Sequence, residues 1–143
     1  MLRQMVLLFG GMLLVGVIVL SGVALAADIR GTFGQDDLIG TNQNDRIYGL
    51  GAADTLTGNG GNDDCYGGSG ADTISCGAGN DRIDGGFGED ELSGGPDNDT
   101  ILAADGQVDQ VDCGGGDDAA YVDEEDVVDA NCEEVFRALP EVT

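Results

Sequence analysis

The chain has 143 residues, with 28 acids against 5 basic residues and no histidine, which gives a formal charge of −23. That balance excludes nucleic acid as a partner, because no basic patch offsets the acids. Without histidine or tryptophan the chain lacks the commonest general base and zinc ligand, and its length leaves no room for a catalytic body beside the repeats described below.

Residues 1–26 read as a secretory signal peptide. Arg3 gives a positive start, Met5 to Leu20 is an apolar run, and Ala24-Leu25-Ala26 is a small-x-small cleavage signature. Cleavage is placed between Ala26 and Ala27. The competing reading is a retained membrane anchor, since the uncharged stretch from Gln4 to Ala27 is long enough to span a bilayer. Ala27 to Arg30 follows as a lead-in strand with Ile29 in the apolar phase of the lines to come, and Phe33 is expected to cover that end.

From Gly31 to Tyr121 the chain is written in nine-residue lines. The first eight keep register without an insertion, the ninth gains one residue, and the tenth returns to phase. Column six holds Asp36, Asp45, Asp54, Asp63, Asp72, Asp81, Asp90 and Asp99, then Asp109 and Asp118. Column eight is apolar: Leu38, Ile47, Leu56, Cys65, Ile74, Ile83, Leu92, Ile101, Val111 and Ala120. Columns seven to nine alternate like a short strand with one buried face. Glycines crowd columns one, two and four, where positive φ lets a loop curl so that its carbonyl oxygens converge. Even lines carry Asn44, Asn62, Asn80 and Asn98 in column five and odd lines do not. The structural period is therefore eighteen residues, one coil of two strands and two turns.

Line five, Gly67 to Ser75, fits the pattern G-G-x-G-x-D-x-U-x at every position. The pattern resembles the nonapeptide of RTX (haemolysin-type) calcium-binding proteins, over about two-thirds of the chain. The resemblance implies an all-β fold, a parallel β-roll built as a two-sheet solenoid, with calcium as the cofactor. Calcium takes six to eight oxygens from carboxylates and backbone carbonyls, and such turns supply both. In such a roll the ion lies between turns stacked on one edge. The ten column-six aspartates are the metal-ligand candidates, paired two lines apart, as Asp54 with Asp72 or Asp63 with Asp81. The turns differ in quality. Thr32, Thr41 and Leu50 replace the column-two glycine, Gln43 and Ala52 that of column four, and line eight has Asp97 in column four. The best sites are expected between Asp63 and Asp90, and the poorest near Asp36 and Asp45.

Residues 122–143 break the period and read as an acidic C-terminal cap to the roll at 27–121, with Phe136 as its plug. The tail acids are an alternative calcium or partner site. Four cysteines fit an oxidising compartment and allow three pairings. Cys65–Cys76 is favoured because the two fall on adjacent coils, and Cys113–Cys132 because it would fasten cap to roll.

The expected function is that of a secreted, non-enzymatic calcium-binding repeat protein whose folding is coupled to the ion. The core is thin, the glycine content is high, and the acids repel one another until a cation neutralises them. No small-molecule substrate is expected, and a monomer is. The alternative is a calcium-dependent structural or adhesion protein, anchored at the outer face of the membrane by a retained N-terminal segment and using a cell-surface or self-association partner.

Overall fold

One apolar residue between two polar ones gives a strand too short to stand alone, so each line must pair with the line one coil away. The computed structural model, which describes residues 7–9, 12–15 and 25–137, contains fifteen strands and no helix among those residues. One sheet stacks β1 (Leu7–Phe9), β2 (Met12–Val15), β4 (Asp36–Ile39), β6 (Thr55–Thr57), β8 (Thr73–Ser75), β10 (Glu91–Pro96), β12 (Gln110–Gly115) and β14 (Val127–Val128). The other stacks β3 (Asp28–Arg30), β5 (Arg46–Tyr48), β7 (Asp64–Ser69), β9 (Arg82–Phe87), β11 (Thr100–Leu102), β13 (Ala119–Val122) and β15 (Glu134–Arg137). Odd lines feed the first sheet and even lines the second, and every pairing except β1 with β2 is parallel. The result is the parallel two-sheet β-roll with an eighteen-residue coil.

The column-eight side chains of the two sheets form a single interior file. Ile29, Leu38, Ile47, Cys65, Ile83, Ile101 and Ala120 are fully buried, and Leu56, Ile74, Leu92 and Val111 nearly so. Ile29 completes the lead-in strand β3, which pairs with β5. A disulfide joins Cys65 to Cys76 inside the roll, and a second joins Cys113 to Cys132 of the tail.

The structure departs from the sequence expectation in four places. Strands β7, β9, β10 and β12 are six residues long and run on through the glycine pair of the next line, so that Gly68 pairs with Gly86 and Gly95 with Gly114. Without a Cβ these residues let successive coils approach closely enough to continue the ladder. The tail continues the roll before it ends: β14 adds to β12 and β15 adds to β13. Phe136 does not plug the interior, because its position in β15 corresponds to outward column nine, where it stacks on Tyr121 at 4.8 Å and stays 47% exposed. Phe33 is 87% exposed and does not cover the first coil.

Of the segment read as a leader, β2 lies parallel on the open edge of β4, with β1 antiparallel to β2. The rest of that segment up to residue 24, and residues 138–143 of the tail, lie outside the described residues. No helix among the described residues is long and apolar enough to cross a membrane.

Candidate metal centre

Every column-six aspartate ends a turn and begins a strand, and its side chain folds back under the turn. All ten are buried, Asp81 being the most exposed at 3%. Burial of so many carboxylates needs compensation, and one oxygen, Oδ1, receives it in every group from Asp45 to Asp118. From Asp36 to Asp99, the backbone N–H of each aspartate donates to Oδ1 of the aspartate one coil later. Asp36 donates to Asp54 at 2.8 Å, Asp45 to Asp63 at 2.7 Å and Asp54 to Asp72 at 2.8 Å. The ladder goes on through Asp63 to Asp81, Asp72 to Asp90, Asp81 to Asp99, Asp90 to Asp109 and Asp99 to Asp118. Aspartates eighteen or nineteen residues apart are therefore stacked neighbours, as the eighteen-residue coil requires.

The other oxygen is uncompensated. Oδ2 of Asp54, Asp63, Asp72, Asp81, Asp90, Asp99, Asp109 and Asp118 is buried with no hydrogen-bond donor. It lies close beneath the first residue of its own turn. A Cβ on Gly67 would collide with Asp72 Oδ2 and with the Gly85 carbonyl of the next coil, so this column-one position is glycine for lack of space. Asp36 and Asp45 differ. The Thr32 backbone N–H and hydroxyl both donate to Asp36 Oδ2, and Thr41 makes the same pair of bonds to Asp45 Oδ2. The threonines that replace the column-two glycine thus close off Oδ2 in both; Asp45 Oδ1 accepts the Ala27 N–H at 2.6 Å, whereas Asp36 Oδ1 stays buried without a donor.

The turns divide in the same way. From line three onward columns two and four adopt positive φ, as at Gly68 (111°) and Gly70 (128°) in line five; only the stretched ninth line departs from this. Leu50 (85°) and Ala52 (73°) hold the same conformation in line three without being glycine, as does Asp97 (80°) in line eight. Thr32, Gly34, Thr41 and Gln43 do not adopt it. In the curled turns the column-two and column-four carbonyl oxygens lie between stacked coils: those of Leu50 and Ala52 sit against Gly68 and Gly70, and those of Gly68 and Gly70 against Gly86 and Gly88.

On the even edge a second ladder runs the opposite way. Asn62 N–H donates to Asn44 Oδ1 at 2.8 Å, Asn80 to Asn62 at 3.1 Å, Asn98 to Asn80 at 3.2 Å and Asp117 to Asn98 at 3.0 Å. This is the physical role of the alternate-line asparagine.

The orphaned oxygens sit in a poor environment for negative charge. Burial pushes Asp63, Asp72 and Asp81 up to about 6 and Asp99 and Asp109 up to about 7, and it also raises Asp54 and Asp90. The N–H bond from the preceding coil opposes the rise, and neighbouring carboxylates add to it. Among the described residues no three acidic side chains converge on one point. A cation between the coils would therefore draw on the carbonyls for much of its shell. That donor set, all hard oxygens with one carboxylate per turn, fits calcium and offers nothing to a soft metal.

Two ligand-like positions escaped the sequence reading. Asp126 Oδ1 accepts the Asp109 N–H at 3.0 Å, and Glu133 Oε2 accepts that of Asp118 at 3.1 Å, so both act as column-six residues of the tail coils. Their signal was the acid followed two residues later by Val128 and Val135. It was hidden because the coil shortens there from eighteen residues to 17 and 15. Asp126 Oδ2 accepts the Asp123 N–H at 2.6 Å, so both oxygens of Asp126 are paired, as they are in Asp45.

A four-copy model of the RTX calcium-binding nonapeptide repeat matches residues 30–65, 39–74 and 66–101, together half of the chain. No curated protein and no solved structure gives a match.

Proposed function

The chain belongs to the RTX calcium-binding nonapeptide repeat family, and from that premise we propose that it is a secreted protein whose curled turns hold several calcium ions and whose folding depends on them. The roll is a calcium-binding repeat fold rather than a catalytic one. The observation that carries the proposal is the file of eight buried Oδ2 atoms without donors, from Asp54 to Asp118. Asp54, Asp63, Asp72, Asp81, Asp90, Asp99, Asp109 and Asp118 are assigned as the ligand carboxylates, joined by column-two and column-four carbonyls of the stacked turns. Asp36 and Asp45 are assigned structural roles, since Thr32 and Thr41 already occupy the Oδ2 atoms that face the turn.

Bound calcium would neutralise acids that otherwise repel, and it would bind the curled turn in preference to the open chain. Both effects favour the fold. Export is supported by the apolar segment ending in Ala24-Leu25-Ala26 and by two disulfides, which persist in oxidising compartments. Equilibrium dialysis of the purified chain against calcium tests the assignment. Several ions per chain are expected; one ion or none would contradict it.

A further inference from the structure

The two outer faces of the roll differ in a way that calcium binding does not explain. The outward face of the β3–β15 sheet carries Arg30, Arg46 and Arg82 together with all three tyrosines, Tyr48, Tyr66 and Tyr121. The outward face of the other sheet, around Thr55, Thr73, Ser75 and Ser93, has neither a basic nor an aromatic residue among its described strands β4 to β14.

On the first of these faces the strands β3, β5, β7 and β9 form a grid of two columns. From one strand to the next, one column reads Asp28, Arg46, Asp64, Arg82. The other reads Arg30, Tyr48, Tyr66, Asp84. Each column is its own complement when reversed: Asp28 falls opposite Arg82, Arg46 opposite Asp64, Arg30 opposite Asp84, and Tyr48 opposite Tyr66. We propose that this grid is a self-recognition surface, on which a second copy of the chain docks face to face about a twofold axis parallel to the strands. Such an axis reverses the order of the strands and keeps the columns facing one another, so every charge on the grid meets its opposite. The contact is isologous and closed, giving a dimer rather than a fibre.

Three further observations favour this occupant. The grid is neutral, three arginines against three aspartates, on a chain of charge −23, so two copies meet there with less repulsion than at the acidic edges. Its side chains are already ordered. The Tyr48 and Tyr66 rings stack at 4.9 Å and 5°, the Arg30 guanidinium lies 4.9 Å from the Tyr48 ring, and that of Arg82 lies 5.5 Å from Tyr66. Docking therefore costs little side-chain entropy. The ion pairs within one copy, Arg30–Asp28 at 3.3 Å, Arg46–Asp64 at 3.6 Å and Arg82–Asp84 at 3.8 Å, are solvent-exposed and weak. Each guanidinium has donors left for a second carboxylate. Four strands about 4.8 Å apart make a footprint well below the roughly 1,000 Å² of a stable interface, so association is weak and salt-sensitive.

Sedimentation equilibrium of the calcium-loaded protein at about 0.1–1 mM tests the proposal, a range chosen for a contact of this size. A monomer–dimer equilibrium that weakens as salt is added is expected. Arg82→Asp should weaken it about tenfold or more, by facing Asp28 of the second copy with another acid. The double variant Asp28→Arg/Arg82→Asp should restore it. Residues 28 and 82 lie on strands three ladder steps apart in one copy, so this rescue has to act between copies. Circular dichroism in calcium shows whether each variant is folded, which separates a failure of folding from a failure of docking. A chain that stays monomeric throughout, a dimer indifferent to Arg82→Asp, or a double variant that is folded but not rescued would overturn the proposal.

Discussion

At the residue scale, ten aspartates that look alike in sequence are held in two different ways at Oδ2. Identical column positions made all ten ligand candidates. What separates them is whether a neighbouring threonine reaches the second oxygen, and a side-chain hydrogen bond of that kind is not written in the period. In line five Asp72 Oδ2 has no donor, whereas Asp36 Oδ2 has two. Asp72→Asn keeps an oxygen for the Asp54 N–H but removes the charge offered to the ion. Calcium affinity at that turn should fall about tenfold or more, equivalent to ~1.4 kcal/mol. Asp36→Asn should change it less than about twofold on the same scale; calorimetric titration of the two variants gives the comparison, and equal losses would refute the division. The same oxygens set a pH dependence. The unfolded carboxyl titrates near 3.8, but in the metal-free fold Asp63, Asp72 and Asp81 titrate near 6 and Asp99 and Asp109 near 7. Between those limits the folded state binds more protons than the unfolded one, so the metal-free fold gains stability as pH falls and loses it as pH rises through 6 to 7. In chelator, the strand signal in circular dichroism should be stronger at about pH 5 than at about pH 8. The calcium midpoint should move the other way, to higher concentration at the lower pH, because protons and calcium compete for one oxygen.

At the scale of the turn and its strand, the glycine pattern was informative about geometry but not about tolerance. Line three was expected to curl poorly because Leu50 and Ala52 stand where glycine belongs. They adopt positive φ all the same, held there by the coil that follows, whose Gly68 and Gly70 lie against their carbonyls. Lines one and two take the other course and abandon the curl for a threonine clamp. A non-glycine residue in this region costs about 1–2 kcal/mol, partly offset by the extra freedom glycine has in the unfolded chain. Leu50→Gly should therefore stabilise the calcium-loaded roll by about 1 kcal/mol, read as a higher denaturant midpoint. A lower midpoint would show that the Leu50 side chain contributes more than its backbone costs. The extended strands β7, β9, β10 and β12 were not legible for a related reason: a glycine pair reads as loop, yet stacked glycine pairs from successive coils pair with each other.

At the scale of the whole molecule, the period determined most of the architecture. Column eight placed the central file of the core from Ile29 to Ala120, to which Cys76, Ala103 and Cys113 of column one add, and the alternate-line asparagines gave the coil length. The tail was not legible, because its coils shorten and its column-six roles pass to Asp126 and Glu133. Phe136, the only large aromatic there, suggested a plug that the register of β15 turns outward. The roll that results has a core one side chain wide and a file of buried acids, eight of them with an Oδ2 that no donor meets. On the function proposed above, such a structure is not self-sufficient and takes up cations where those oxygens point. Far-ultraviolet circular dichroism of the purified chain, titrated with calcium from a chelated start at neutral pH, tests this most directly. Calcium-coupled folding predicts a cooperative gain of strand signal as calcium is added, reversed by chelator, with only residual structure near the Cys65–Cys76 and Cys113–Cys132 bridges in its absence. A strand spectrum already complete in chelator and unchanged by calcium would contradict it.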